Sequence, residues 1–332
     1  VIFLGLATAQ LLLMGMDDML AIGRQSLSVT VEIPRDADTQ TVAEILEEEG
    51  VIEEPAFFRL YSFLTKSDGY YQNGTFELRT DMDYEALINQ LQSNTARVDT
   101  VRITFPEGLN VQEVAQLLEE NGVCTAEDAL AAADSDELDG FDLISAISNG
   151  DERYYKLEGY LFPDTYEFYR DEDPVDALSR LVRNTDRKLT QDMRDQIAAM
   201  DMTVDEILTI ASIIEAEAAD EEDMYIISSI LHNRLENGVE TGTAQLGCDS
   251  PVYYPYRTAE LAPEGFTSTY NTYQITGLPP GPICNPSLAA IEAAITPADT
   301  NYYYFCHDAD GNAYYAETSS GHQQNLERAG LA

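Results

Sequence analysis

The sequence predicts an α+β chain: two β-α-α-β repeats, then a mixed α/β domain, behind an N-terminal apolar segment that reads as a truncated transmembrane span. Three observations lead there. A strand–proline–helix pattern recurs 72 residues on, with Val29 matched by Val101. The second half alternates capped apolar helices with loops rich in Tyr, Pro and Gly, and closes on a hairpin pattern. Residues 1–16, VIFLGLATAQLLLMGM, carry no charge and stop at Asp17 and Asp18.

A membrane-crossing helix needs about 20 apolar residues. The first run falls short of that and begins with Val, which suits an anchor that has lost its start. A signal-peptide apolar region and a buried core helix are the alternatives. No basic flank orients the run.

The first repeat spans residues 26–100. Val29, Val31 and Ile33 alternate up to Pro34, and a helix with Val42, Ile45 and Leu46 on one face ends at Gly50. A second helix over 54–65 and a strand at 74–78 complete it, and residues 83–92 form a bridging helix. The second repeat, 101–170, pairs Val101, Ile103 and Phe105 with a helix bearing Val114, Leu117 and Leu118, a second helix over 126–133 and a strand at 165–168. An inserted helix within 136–149 accounts for its extra length. Such modules build a scaffold or bind a polymer along their sheet edge; the repeat itself leaves both open.

The last region, 171–332, opens with Asp173-Pro174, an N-cap followed by Pro at the first helical position. Arg180, Arg183 and Arg187 share a face of that helix, either as a solvated stripe or as a contact for an anionic polymer. Thr203 and Glu206 form a capping box for an apolar helix that ends in Glu215 and Glu217. An acid there opposes the helix dipole and follows an apolar run. These are the two conditions under which a carboxyl holds its proton toward neutrality, as a general acid must. The next helix runs from 221 to 237 with Gly238 as its stop, Asn285-Pro286 caps a helix to about 295, and Asp310-Gly311 turns a hairpin. Tyr253, Tyr254, Tyr256, Tyr270 and Tyr273 either stack on sugar rings or pack among themselves.

Composition removes several function classes. Eighteen Lys and Arg against sixty Asp and Glu give a net charge of −42, which repels a nucleic-acid backbone. A hydrophobic fraction of 44% excludes an acidic disordered chain. Cys124, Cys248, Cys284 and Cys306 contain no C-x-x-C pair, and one disulfide or four buried thiols remain open. Without G-x-S-x-G or a Cys/His signature, a serine or cysteine hydrolase has no support. Neither a metal nor a cofactor is called for.

Several strings together resemble the MltG (YceG-like) family of endolytic murein transglycosylases. They are Leu157-Glu-Gly-Tyr-Leu-Phe-Pro-Asp-Thr-Tyr166, Ala211-Ser-Ile-Ile-Glu-Ala-Glu217, Asn233-Arg-Leu235, Leu246 to Tyr254, and Tyr270-Asn-Thr-Tyr-Gln-Ile-Thr-Gly-Leu-Pro-Pro-Gly-Pro-Ile283. The resemblance covers nearly the whole chain and implies LysM-like repeats and a YceG-like catalytic domain. It implies Glu215 as the catalytic acid, with Glu158, Asp164, Tyr166, Glu217, Asn233, Asp249, Asn271, Tyr273 and Thr276 around a glycan cleft. His322 matches a histidine near the family's C-terminus. Gly247 and Pro251 depart from the family's usual Gln and Thr, which puts polar contacts there in doubt. The implied reaction cleaves the MurNAc-β-1,4-GlcNAc bond of nascent peptidoglycan to give 1,6-anhydro ends. The implied setting is the outer face of the bacterial cytoplasmic membrane, single-pass, beside peptidoglycan synthases (penicillin-binding proteins). A non-catalytic peptidoglycan-binding protein and a two-carboxylate muramidase are the rival readings.

Overall fold

A computed structural model describes residues 13–93 and 96–332. Most of the expected membrane segment, residues 1–12, lies outside the described residues. Among the described residues no helix is long and apolar enough to cross a membrane.

The chain divides into two compact units. The first takes in the described residues up to Arg102, with Asn121–Cys124 and Glu167–Asp173. Here β1 (Ser28–Ile33), α1 (Thr39–Glu48), α2 (Pro55–Thr65) and β2 (Gly74–Arg79) follow in the predicted order, and α3 (Tyr84–Leu91) comes next. The strands pair antiparallel, from Ser28↔Arg79 to Ile33↔Gly74. Asp38 caps α1 by accepting from the Thr41 N–H at 2.8 Å, and Gly50 takes the positive φ of +72° that stops it. Alternation on β1 and β2 sends Val31, Ile33, Phe76 and Leu78 into one core with Val42, Leu46, Phe58 and Leu87. Asp18, read only as the end of an apolar run, is buried there. It accepts from the N–H groups of Glu53 and Glu54 at 2.9 and 2.8 Å, from the Tyr84 hydroxyl and from Arg24.

The second unit takes in Ile103–Glu120, Thr125–Tyr166 and Pro174–Ala332. The second repeat supplies β3 (Thr100–Thr104), α4 (Val111–Glu120), α5 (Ala126–Ala133) and β4 (Thr165–Tyr169), with β3 and β4 hydrogen-bonded. The inserted helix shrinks to one turn, α6 (Asp142–Ser145), followed by a 3-10 turn at Gly150–Glu152. Then come α7 (Pro174–Lys188), α8 (Gln191–Ala199), α9 (Val204–Glu217), α10 (Glu221–Thr241) and α11 (Leu288–Ile295). A hairpin of β5 (Tyr304–His307) and β6 (Ala313–Ala316) and a final helix α12 (Ser319–Arg328) complete the unit. The core lies around α9, which buries Ile207, Leu208, Ile210, Ile213 and Ile214 and packs on α10 and α11.

Two predicted helix ends are corrected. Gly238 does not stop α10, which runs on to Gly242 in the left-handed conformation (φ +76°). A Cβ at Gly238 would stand 2.7 Å from the Ala244 Cα and the Thr243 carbonyl oxygen, so glycine serves close packing there, not a turn. Ser287, not Asn285, caps α11, its Oγ accepting from the Ala290 N–H at 3.1 Å. Asn285 is a buried cross-brace: its Oδ1 accepts from Leu161 N and its Nδ2 donates to the Leu109 carbonyl, both at 2.8 Å. On α7, Arg183 lies over the Phe141 ring at 5.9 Å and Arg187 donates to Asn184 at 3.3 Å, so at least part of the basic stripe is engaged locally. All four cysteines are buried and none is in a disulfide.

Candidate active site

The capping box predicted at Thr203 is present: Glu206 N–H donates to Thr203 Oγ1 at 3.2 Å, and Thr203 N–H donates to the Glu206 carboxylate at 2.8 Å. It starts α9, whose last turn carries both glutamates. Two residues on a helix are about 200° apart around its axis, so Glu215 and Glu217 leave on nearly opposite sides.

Glu215 is half-buried, and its Oε2 accepts from the Ser287 N–H at 3.0 Å and the Ser287 hydroxyl at 2.6 Å. It is therefore latched to the N-terminus of α11. Gly108 also comes close: a Cβ there would lie 3.6 Å from the Glu215 Cγ. Burial, and then the charge of Glu215, push the neighbouring Glu107 carboxyl above its ordinary value. Glu107, Gly108 and Ser287 were not singled out from the sequence.

Glu217 faces an open cleft of about 580 Å³, lined also by Arg234, Asp249, Tyr273, Tyr304 and His322. Its Oε1 accepts from Ser250 N–H at 3.0 Å and Ser250 Oγ at 2.7 Å. The Tyr273 hydroxyl donates to Asp249 Oδ1 at 2.7 Å, while the ring stays half exposed at 50%. Arg234 is buried, donating to the Tyr303 carbonyl at 2.7 Å and to the Leu246 carbonyl. Gly247 lines the cleft at φ +56°, a conformation a side chain resists. Its N–H donates to Thr272 O at 3.2 Å, and Thr272, fully buried, bonds both the N–H and the carbonyl of Cys248 at 3.0 and 2.7 Å. This pairing of two loops, invisible in the sequence, shapes one wall.

Of the residues the resemblance placed at a glycan site, Glu217, Asp249 and Tyr273 meet in this cleft. Glu215 does not line it. Asn233 ties α10 to the approach to β5, donating to the Thr300 and Tyr302 carbonyls at 3.0 and 2.9 Å. Asp164 and Tyr166 gather instead on Asn184, at 3.1 and 2.9 Å, and Asp164 is held below the usual carboxyl range, chiefly by the Thr165 N–H. Asn271 accepts from the Tyr273 N–H at 3.0 Å, and Thr276 is exposed. Glu158 is buried. It accepts from the Val111 N–H that opens α4, at 3.1 Å, and from the Tyr254 hydroxyl at 2.8 Å. Burial pushes its carboxyl up to about 7, against the opposing effects of those two donors and the Arg257 charge. Packing also claims most of the tyrosines proposed for sugar stacking. Tyr254 and Tyr270 are buried with ring centroids 4.7 Å apart, and Tyr256 meets Phe266 edge-on at 4.9 Å.

The chain matches the YceG-like family over residues 31–328. It is 27% identical over 316 residues to a Bacillus subtilis protein named endolytic murein transglycosylase, covering 91% of this chain and 84% of that one. A Streptococcus pneumoniae protein of the same name is 29% identical over 343 residues, 94% of this chain but 60% of its own length. A 2.6 Å crystal structure of a yceG-like protein from Listeria monocytogenes superposes with a TM-score of 0.58 at 27% identity, covering 90% of this chain and 98% of that one. On the family match over most of its length, this chain is a member of the YceG-like family.

Proposed function

We propose that this chain is an endolytic murein transglycosylase whose proton donor is Glu217. The activity follows the names of its relatives. The choice of acid rests on one observation: Glu217 is the member of the α9 pair that lines the cleft. Glu215, the acid implied by the resemblance, is the alternative, and its latch to Ser287 argues for a structural role.

Ser250 occupies Oε1 of Glu217 and leaves Oε2 for the substrate. That oxygen protonates the glycosidic oxygen as the bond to the muramic C1 breaks. The muramic C6 hydroxyl adds to C1, and its proton passes to the carboxylate. The attacking hydroxyl belongs to the same sugar, so proximity replaces a second nucleophile. A two-carboxylate muramidase is the second reading, favoured by Asp249 in the same cleft.

Uncrosslinked glycan strands treated with wild type, Glu217→Gln and Glu215→Gln decide the matter by product mass. The expected products of wild type are anhydro ends, one water lighter than hydrolysed ends, and Glu217→Gln yields none. Wild-type activity in Glu217→Gln refutes the assignment of the acid, and hydrated ends from wild type establish the muramidase. By the same resemblance we propose a single-pass anchor in the cytoplasmic membrane with the catalytic unit outside. We further propose LysM-like repeats that engage glycan and penicillin-binding synthases as neighbours. The uncharged run at 1–16 and the repeat at an offset of 72 residues support the first two.

A further inference from the structure

The chain has three histidines. His232 Nε2 pairs with the Ala294 carbonyl at 2.9 Å, and His307 Nε2 pairs with Asp223 Oδ2 at 2.7 Å. His322, in the first turn of α12, is different. Its ring lies nearly parallel to that of Tyr304 on β5, with centroids 5.2 Å apart at 22°, and it lines the cleft that holds Glu217. Its Nδ1 is buried with no hydrogen-bond partner among the described residues.

The surroundings decide how the ring carries its proton. An N–H at Nδ1 would be a buried donor with nothing to accept it, whereas a bare Nδ1 buries only a lone pair. A cation would need N–H at both nitrogens. Burial, and then the nearby Arg234 guanidinium, push the imidazole below its ordinary value, in the same direction. Arg234 in turn senses Cys248, Tyr304, Tyr273 and Glu217, and Asp249 and His307 also line the cleft. The stack on Tyr304 sets the ring plane, and with Nδ1 buried the nitrogen left for a ligand is Nε2.

We propose that His322 contacts the substrate, donating its Nε2–H to an acetamido carbonyl oxygen of the glycan bound in the Glu217 cleft. The assignment rests on the reading of this cleft as the glycan site. It adds a donor suited to N-acetylated sugars on a side of the cleft built by α12 and β5, which the motif strings do not reach.

His322→Phe keeps a ring on Tyr304 and removes the donor. On uncrosslinked strands it is expected to raise KM about tenfold, the worth of one neutral hydrogen bond, with kcat within about twofold. His322→Gln, which restores an N–H, is expected to recover part of the loss. In wild type, nitrogen NMR at neutral pH is expected to show the Nε2–H tautomer. In Glu217→Gln, an alternating GlcNAc–MurNAc tetrasaccharide is expected to move the Nε2 signal together with those of Tyr273 and Gly247. An Nδ1–H tautomer, or an unchanged KM in His322→Phe, overturns the proposal. So does a tetrasaccharide that moves Tyr273 and Gly247 but not His322, while leaving the cleft reading intact. If none of the three moves, both readings fall.

Discussion

Replacing Glu158 with Gln tests whether a buried carboxyl limits the stability of the second unit above neutral pH. The carboxyl's ordinary value is 4.5, and burial raises it to about 7 in the folded chain. The folded chain therefore holds a proton there that the unfolded chain has already released. A raised value means that the stabilising contribution is complete below about pH 4.5 and is lost as pH rises through about 7. At 1.36 kcal/mol per pH unit, that window corresponds to roughly 3 kcal/mol. For a unit of this size the change corresponds to about 6–12 °C in Tm. Gln keeps the shape, accepts from the Val111 N–H and does not titrate, so the difference between wild type and Glu158→Gln isolates this group. Urea unfolding followed by circular dichroism at pH 4.5, 5.5, 6.5 and 7.5 is the assay, the conditions being chosen to bracket the window. Wild type is expected to lose stability relative to Glu158→Gln by roughly 3 kcal/mol across it. Parallel curves for the two proteins refute the reasoning, and a carbon NMR titration of the Glu158 carboxyl that ends near 4.5 refutes it directly.

Three further outcomes follow from the geometry. Thr203→Ala removes the hydroxyl that accepts from the Glu206 N–H at the start of α9, keeps the backbone N–H that donates to the Glu206 carboxylate, and is expected to cost about 1 kcal/mol, read from the urea midpoint. Gly238→Ala forces a methyl against the Ala244 and Thr243 backbone. It is expected to cost about 1–3 kcal/mol, whereas Gly242→Ala, at a left-handed position with open space around it, is expected to cost about 1–2 kcal/mol through backbone strain alone. Tyr273→Phe removes a partner from the exposed Asp249 and is expected to leave Tm within about 2 °C, since exposed polar pairs contribute little. It is also expected to lower kcat/KM on glycan strands by roughly tenfold if the hydroxyl orients Asp249 toward substrate.

Much of the architecture was legible because it is local. Proline stops, alternation and the recurring helix face marked β1, α1, α2 and β2, and the Thr203–Glu206 box marked the start of α9 to the residue. The hairpin followed from Asp310-Gly311. What was not legible depends on partners far along the chain. Gly238 and Gly242 look alike in sequence, and only the return of residues 243–244 against the helix separates them. Glu158 reads as a motif acid until Val111 and Tyr254 close over it. The tyrosines could not be divided between stacking on sugar and packing on each other without knowing that the Tyr154 ring meets Tyr254 and Tyr270, at 5.8 and 5.7 Å, and that Phe266 meets Tyr256. The strings located the region of the cleft but not which side of the last α9 turn opens onto it, because that depends on where Ser250 and Ser287 arrive.

The two serines give that last turn a property helix ends rarely have. Terminal turns fray, since their carbonyls lack partners within the helix, and a side chain carried on a fraying turn wanders. Here Glu215 is fastened on one flank and Glu217 on the other, through backbone and hydroxyl donors in each case. The turn is clamped like a blade between two jaws, so the Glu217 carboxyl is held in place at the cleft by the chain's own donors. On the proposed assignment of Glu217 as the acid, loosening the far jaw at Ser287 would blur that placement and slow the reaction from outside the cleft.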